Sequence, residues 1–139
     1  MPEGLERALQ HESGLRGVSG LSGDMRELLA ARKAGHRQAA LAFNLYVTRL
    51  SEGIAAMTTH LGGLDGLVFT AGVGERAAEV RAAACAGLGW MGIGLEATAN
   101  ARAVPDADVT ASDSRVRVLV VHTREDLMVA RQTRAVLES

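Results

Sequence analysis

Leu67-Val68-Phe69-Thr70-Ala71-Gly72-Val73-Gly74-Glu75-Arg76 is the stretch that decides the fold. Residues 67–71 are almost wholly apolar and too few for a helix, so they predict a strand covered on both faces, as in a parallel sheet. Glycines end it, and a helix is expected at once, over residues 75–88. A helix that starts so abruptly directs unpaired N–H groups outward, where they favour an anion. Gly72 and Gly74 offer a ligand bare backbone. Turns of this kind also arise for steric reasons alone. A rival reading takes Gly72-Val73-Gly74-Glu75-Arg76-Ala77 as the G-x-G-x-x-A dinucleotide pattern, with Glu96 as the ribose-binding acid. Against it, the second strand it needs, Gly92-Ile93-Gly94-Leu95, is short and broken by glycine. The motif also falls in mid-chain, after a long helix.

That helix is the clearest element upstream. Phe43, Val47, Leu50, Ile54, Met57 and Leu61 recur at alternating intervals of 4 and 3 residues. The spacing puts them on one face of a helix over residues 37–60, stopped by Gly62-Gly63. The face is expected to be core or interface, with Gly53 permitting a close backbone approach. Further upstream, residues 1–23 read as a glycine-rich loop with Gly14, Gly17, Gly20 and Gly23. A short helix over 24–33, ended by Gly35, follows. Downstream, residues 89–96 hold at most a short strand, 97–107 a loop, 109–112 an edge strand, 116–121 a strong strand and 125–137 a terminal helix. Strand alternates with helix, so the class is α/β, with a mostly parallel sheet.

Composition bounds what such a chain can do. The 139 residues suffice for one domain with a core, and 47% apolar against 22% charged residues is a globular balance. Net charge is −1 with no dense basic cluster, which argues against nucleic acid and anionic membranes as partners. Cys85 is the only cysteine, so neither an internal disulfide nor a cysteine-rich zinc site is available; it reads as a packed residue of the helix over 75–88. No run approaches the ~20 apolar residues of a membrane span, and a cytoplasmic location is expected.

Two other segments carry candidate chemistry. Ser22-Gly23-Asp24-Met25-Arg26 sets an acid and an arginine at a helix start. Asp24 suits the N-cap, with Glu27 completing a capping box; an Asp-x-Arg pair also suits a ribose and a purine face. His122-Thr123-Arg124-Glu125-Asp126 follows the strongest strand. Thr123 reads as an N-cap with Asp126 as its box partner, which leaves Glu125 free to hold Mg²⁺ beside nucleotide phosphates.

In this order, HESGLRGVSGLSGDMR, GLDGLVFTAGVGER with the AEVR that follows, and VRVLVVHTREDLMVARQT resemble the acetate kinase family of acyl-phosphate kinases. The likeness runs from His11 to Thr133. It implies part of an actin-like, ribonuclease H-like ATPase domain, with residues 1–139 as an incomplete C-terminal nucleotide-binding domain. It also implies that ATP phosphorylates acetate or a similar short-chain carboxylate, with Mg²⁺. The adenosine pocket maps onto Asp24, Met25, Arg26, Gly72, Val73, Gly74, Arg76 and Val80, and the metal ligand onto Glu125. No catalytic residue maps onto the chain.

The departures from the family pattern are specific. Ala71 and Arg76 replace the first glycine and the asparagine of GGxGEN, and PTNEE reads His122 to Asp126. Family members are much longer: their acyl pocket, their phosphate-stabilising groups and the opening strands of this domain precede the stretch present here. The chain alone is therefore expected to be inactive, and to form a homodimer or associate with a missing N-terminal half. A non-catalytic association module, or a truncated remnant, is the alternative.

Overall fold

The structure is a computed structural model that describes residues 3–138, so Met1, Pro2 and Ser139 lie outside the description. Helix α1 (Glu3–Arg7) runs into a π-helical turn over Ala8–Glu12, and α2 spans Gly14–Ser19. The loop expected over residues 1–23 is thus largely helical over its described part, residues 3–23. Its glycines punctuate the helices: Gly14 (φ 60) is the first residue of α2 and Gly20 (φ 65) ends it in the left-handed region. Leu15 and Val18, three apart, share the face that packs on the core.

Helix α3 (Met25–Lys33) and α4 (Arg37–Leu61) agree with expectation, and Gly62 (φ 73) stops α4. Strand β1 (Gly66–Phe69) follows, then α5 (Ala71–Arg76) and α6 (Ala78–Gly87). The helix expected over 75–88 therefore starts earlier and breaks at Ala77, whose φ of −106 and ψ of 81 are non-helical. A 3-10 turn (Gly89–Met91) leads to α7 (Ala97–Arg102), where a loop was expected. Strands β2 (Ala107–Asp108) and β3 (Arg117–Val120) and helix α8 (Glu125–Leu137) complete the chain.

The sheet order is β1-β3-β2. β1 pairs parallel with β3, Gly66 opposite Arg117 and Phe69 opposite Val120, whereas β2 pairs antiparallel with it. The α/β class holds, but the sheet is mixed. Along β3, Val118 and Val120 are buried and Arg117 is exposed, the alternation of a half-covered strand. β1 departs from the prediction of two covered faces: it lies at a sheet edge, and Val68 is half exposed.

Helix α6 joins two cores. Val80 belongs with Met25, Leu28, Ala39, Ala42, Phe43 and Ala77, while Ala84, Cys85 and Leu88 pack with Phe69, Ile93 and the β3 valines. Residues 80, 84 and 88 are one helical face, so a single amphipathic stripe ties the α2–α4 layer to the sheet. Cys85 is packed as expected, and burial pushes its thiol up to about 11.

The stripe on α4 divides. Phe43 is buried, Val47, Leu50 and Ile54 are half-buried, and Met57 and Leu61 are exposed. With Leu64 and Leu67, its second half walls an apolar groove of about 420 Å³. A Cβ on Gly53 meets nothing within 4 Å, so the close approach expected there does not occur.

Candidate functional site

The start of α3 is built by side chains that satisfy backbone. Buried Ser19 accepts at Oγ from Leu21 N (3.0 Å) and Ser22 N (3.3 Å), and Ser22 Oγ accepts from Asp24 N (3.0 Å). Asp24 then caps α3, Oδ1 accepting from Arg26 N at 2.8 Å. Because the Asp24 amide is taken by Ser22, the reciprocal Glu27 arm of a capping box is not formed. The Arg26 guanidinium grips both Asp24 oxygens, Nε at 3.1 Å to each and an Nη at 2.5 Å. These bonds hold the Asp24 carboxyl down at about 2, so it is ionised at neutral pH.

The glycine turn is fixed from two sides. Ala71 opens α5 at φ 59, a left-handed conformation unusual for alanine. Its amide donates to Thr123 Oγ1 (2.8 Å), which also meets Thr70 Oγ1 at 2.8 Å. Thr123 is therefore not the N-cap of α8; Arg124 holds that position without a side-chain cap. Glu75 reaches back across the same gap: Oε1 accepts from Thr123 N (2.9 Å), and Oε2 lies 2.8 Å from His122 Nδ1. His122 and the Thr123 amide hold the Glu75 carboxyl down at about 2. The loop entering α8 is also anchored to Asp106, which accepts from His122 N and from Arg124.

Behind the turn stands Arg81, 1% exposed and in no ion pair with a carboxylate among the described residues. Its guanidinium donates to Gly74 O (2.8 Å), Glu75 O (2.9 Å), Asn100 Oδ1 (2.7 Å) and Asn100 O (2.9 Å). Asn100 Nδ2 donates in turn to Ala78 O. A cation is thus placed against the C-terminal carbonyls of α5, where the helix dipole favours it.

These elements border a crevice with two compartments. One, of about 240 Å³, is lined by Asp24, Met25, Arg26, Leu29, Gly72, Val73, Arg76 and Ala77. The other, of about 370 Å³, is lined by Ala71, Gly72, Glu75, Arg76, His122, Thr123, Glu125 and Asp126. Gly72 and Arg76 belong to both, so the three sequence segments converge on one region.

Individual candidates fare differently. Asp24, Arg26, Gly72, Val73 and Arg76 border the first compartment, and Glu125 the second. Met25 lines the first compartment while almost wholly buried. Val80 has no exposed surface and supports the floor from within the core, so it does not itself reach a ligand. Gly74 answers to packing: a Cβ there stands 3.2 Å from the Phe69 carbonyl carbon, whereas at Gly72 it meets nothing within 4 Å. Glu96 is the N-cap of α7, accepting from Thr98 N (2.8 Å) and from Ala99 N. Its carboxylate is occupied by a helix end, which removes the ribose-binding acid from the dinucleotide reading.

Glu75 stood in the first segment without a role of its own, Thr123 was read only as a helix cap, and Arg81 and Asn100 were not singled out. For Arg81 a signal existed, since a charged residue four before Cys85 lies on the apolar face of its helix. No helix of the described residues is long and apolar enough to cross a membrane.

Residues 1–131 match the model of the Acetokinase family. The chain is 52% identical over 128 residues to the acetate kinase of Gloeobacter violaceus, covering 92% of this chain and 32% of that protein. With the acetate kinase of Nostoc punctiforme it shares 49% identity over 137 residues, covering 99% of this chain and 34% of that one. The crystal structure of Porphyromonas gingivalis acetate kinase superposes with a TM-score of 0.88 at 35% identity, over 99% of this chain and 35% of that chain. For Entamoeba histolytica acetate kinase the TM-score is 0.88 at 32% identity, over 96% and 36%. The chain spans about a third of the length of the curated relatives it matches. Likeness in sequence and in fold extends over nearly all of it, and the chain belongs to the Acetokinase family.

Proposed function

We propose that this chain is the C-terminal nucleotide-binding portion of an acetate kinase-type phosphotransferase. In the complete enzyme, a carboxylate oxygen of acetate or a similar short-chain acid attacks the γ-phosphorus of ATP. The bond to the ADP oxygen breaks, giving an acyl phosphate and ADP. One observation carries the reading: Asp24 borders one compartment and Glu125 the other, and both compartments are lined by Gly72 and Arg76. The compartment of Met25, Leu29 and Val73 suits a base and ribose, and the compartment of Glu125 and Asp126 suits the metal end.

The donors present fit Mg²⁺. Glu125 and Asp126 are exposed and make no hydrogen bond or ion pair among the described residues, and no group of three His, Cys, Asp or Glu able to hold a metal occurs among them. Mg²⁺ takes one or two carboxylates and completes its shell with phosphate and water, so this modest donor set is of the right kind. When bound, the ion neutralises phosphate charge. The chain's own residues position the nucleotide, Gly72 leaving its path open and Glu75 with Thr123 fixing the loop that carries Glu125.

Phosphoryl transfer depends on positioning and charge stabilisation around the acceptor. We assign those groups to a remaining part of the enzyme, so the isolated chain binds nucleotide without turning over. Equilibrium dialysis against Mg-ADP tests this; no binding at millimolar ligand overturns it. Restored acetyl phosphate formation on mixing with an N-terminal portion of an acetate kinase supports the assignment of the acceptor site.

A second reading, a non-catalytic association module, is favoured by the groove between α4 and β1, where Met57 and Leu61 stand exposed. It accommodates a homodimer or docking of the N-terminal portion. Sedimentation of the isolated chain distinguishes it: a strictly monomeric species that binds no nucleotide and no N-terminal portion excludes this role.

A further inference from the structure

Among the cations that line the crevice, Arg76 has no partner among the described residues. Arg26 is closed onto Asp24. Arg81, bordering a neighbouring cavity, is given to Gly74, Glu75 and Asn100. Arg76 is exposed, enters no hydrogen bond or ion pair, and borders both compartments of the crevice as well as that third cavity. Glu125 and Asp126 border the same compartment of about 370 Å³, yet no ion pair joins them to Arg76. One guanidinium and two carboxylates, none of them in a hydrogen bond or close ion pair among the described residues, therefore border a shared space. That pattern complements a ligand bringing both an anion and a divalent cation.

Two roles compete for the guanidinium: stacking on a base in the apolar compartment, or pairing with phosphate. Its place decides between them. Arg76 stands with Gly72 at the junction, the point a nucleotide crosses between its nucleoside and its metal-bound end. A planar fork of N–H donors matches phosphate oxygens in two-point fashion. We infer that Arg76 grips the phosphate chain of the bound nucleotide at this junction, an inference that rests on the nucleotide-binding reading above.

Isothermal titration of the whole chain with adenosine and with Mg-ADP tests it, using wild type, Arg76→Asn and Arg76→Lys. The side chain is exposed, so neither substitution disturbs packing, and circular dichroism checks that both fold. Losing a charge-assisted pair weakens binding by about 10-fold or more. Arg76→Asn is expected to lose that much affinity for Mg-ADP while binding adenosine within about twofold of wild type, with Arg76→Lys between. Equal losses for the two ligands, or no loss for either, overturn the phosphate role while the nucleotide reading stands. A wild-type chain that binds neither ligand overturns both.

Discussion

The backbone amide of Ala71 donates to Thr123 Oγ1 at 2.8 Å, joining the first residue of the glycine turn to the loop that delivers Glu125. The residues are 52 apart in sequence, so the bond fixes the two walls of the crevice relative to one another. Thr123→Val keeps the shape and removes the acceptor, leaving the Ala71 amide without its partner. A lost bond of this kind costs about 1–2 kcal/mol. Urea unfolding is expected to show that decrease, and Mg-ADP affinity to fall with it as the walls loosen.

Ala71 itself is strained. At φ 59 its Cβ crowds the following carbonyl, which costs an L-residue roughly 1–2 kcal/mol relative to glycine. Glycine gives back part of this through greater freedom in the unfolded chain, about 0.4–1 kcal/mol. Ala71→Gly is therefore expected to stabilise the protein by up to about 1.5 kcal/mol, read as a higher urea midpoint. Ala71→Val, branched at Cβ, should lower it.

The Glu75 carboxyl is held at about 2 against an ordinary value of 4.5, chiefly by His122 and the Thr123 amide. A depressed folded-state value means the stabilisation is fully present above about 4.5 and is lost as pH falls toward 2. Asp24, lowered from 3.8 to about 2 by Arg26, acts in the same direction over a slightly lower window. Unfolding midpoints measured from pH 6 down to pH 3 should decline. Glu75→Gln cannot titrate, so its decline should be shallower; an identical slope would show that this carboxylate contributes nothing.

Much of this was legible in the sequence, because local rules act strongly on it. The 4-and-3 spacing of α4, the short apolar run of β1 and the Val-rich β3 each obey a single periodicity, and Gly35 and Gly62 stop helices as glycine does. The candidate site was read from the order of three motifs, whereas its fastening was not. Thr123 and Glu96 each had a local capping role to compete for, and tertiary position sent Thr123 to Ala71 and kept Glu96 at α7. Arg81 required knowing that its neighbours are carbonyls, a fact that arises only when α5 breaks at Ala77. The exposed Val68 is a consequence of sheet order, which a strand's own composition does not encode.

Gly72 and Gly74 look equivalent in the sequence and should respond in opposite ways. A Cβ on Gly74 would stand 3.2 Å from the Phe69 carbonyl carbon and 3.5 Å from its Cα, and backbone in a paired strand has little room to yield. Gly74→Ala is therefore expected to destabilise the fold by about 1–3 kcal/mol, the usual range for overpacking. A Cβ on Gly72 meets open space on the crevice side of α5, in a helix that favours alanine over glycine. Gly72→Ala should leave the urea midpoint unchanged or raise it slightly, while its methyl group narrows the passage shared by the two compartments and weakens Mg-ADP binding. Paired urea and titration measurements separate the two glycines, and a loss of stability without loss of affinity at Gly72 would place the ligand elsewhere.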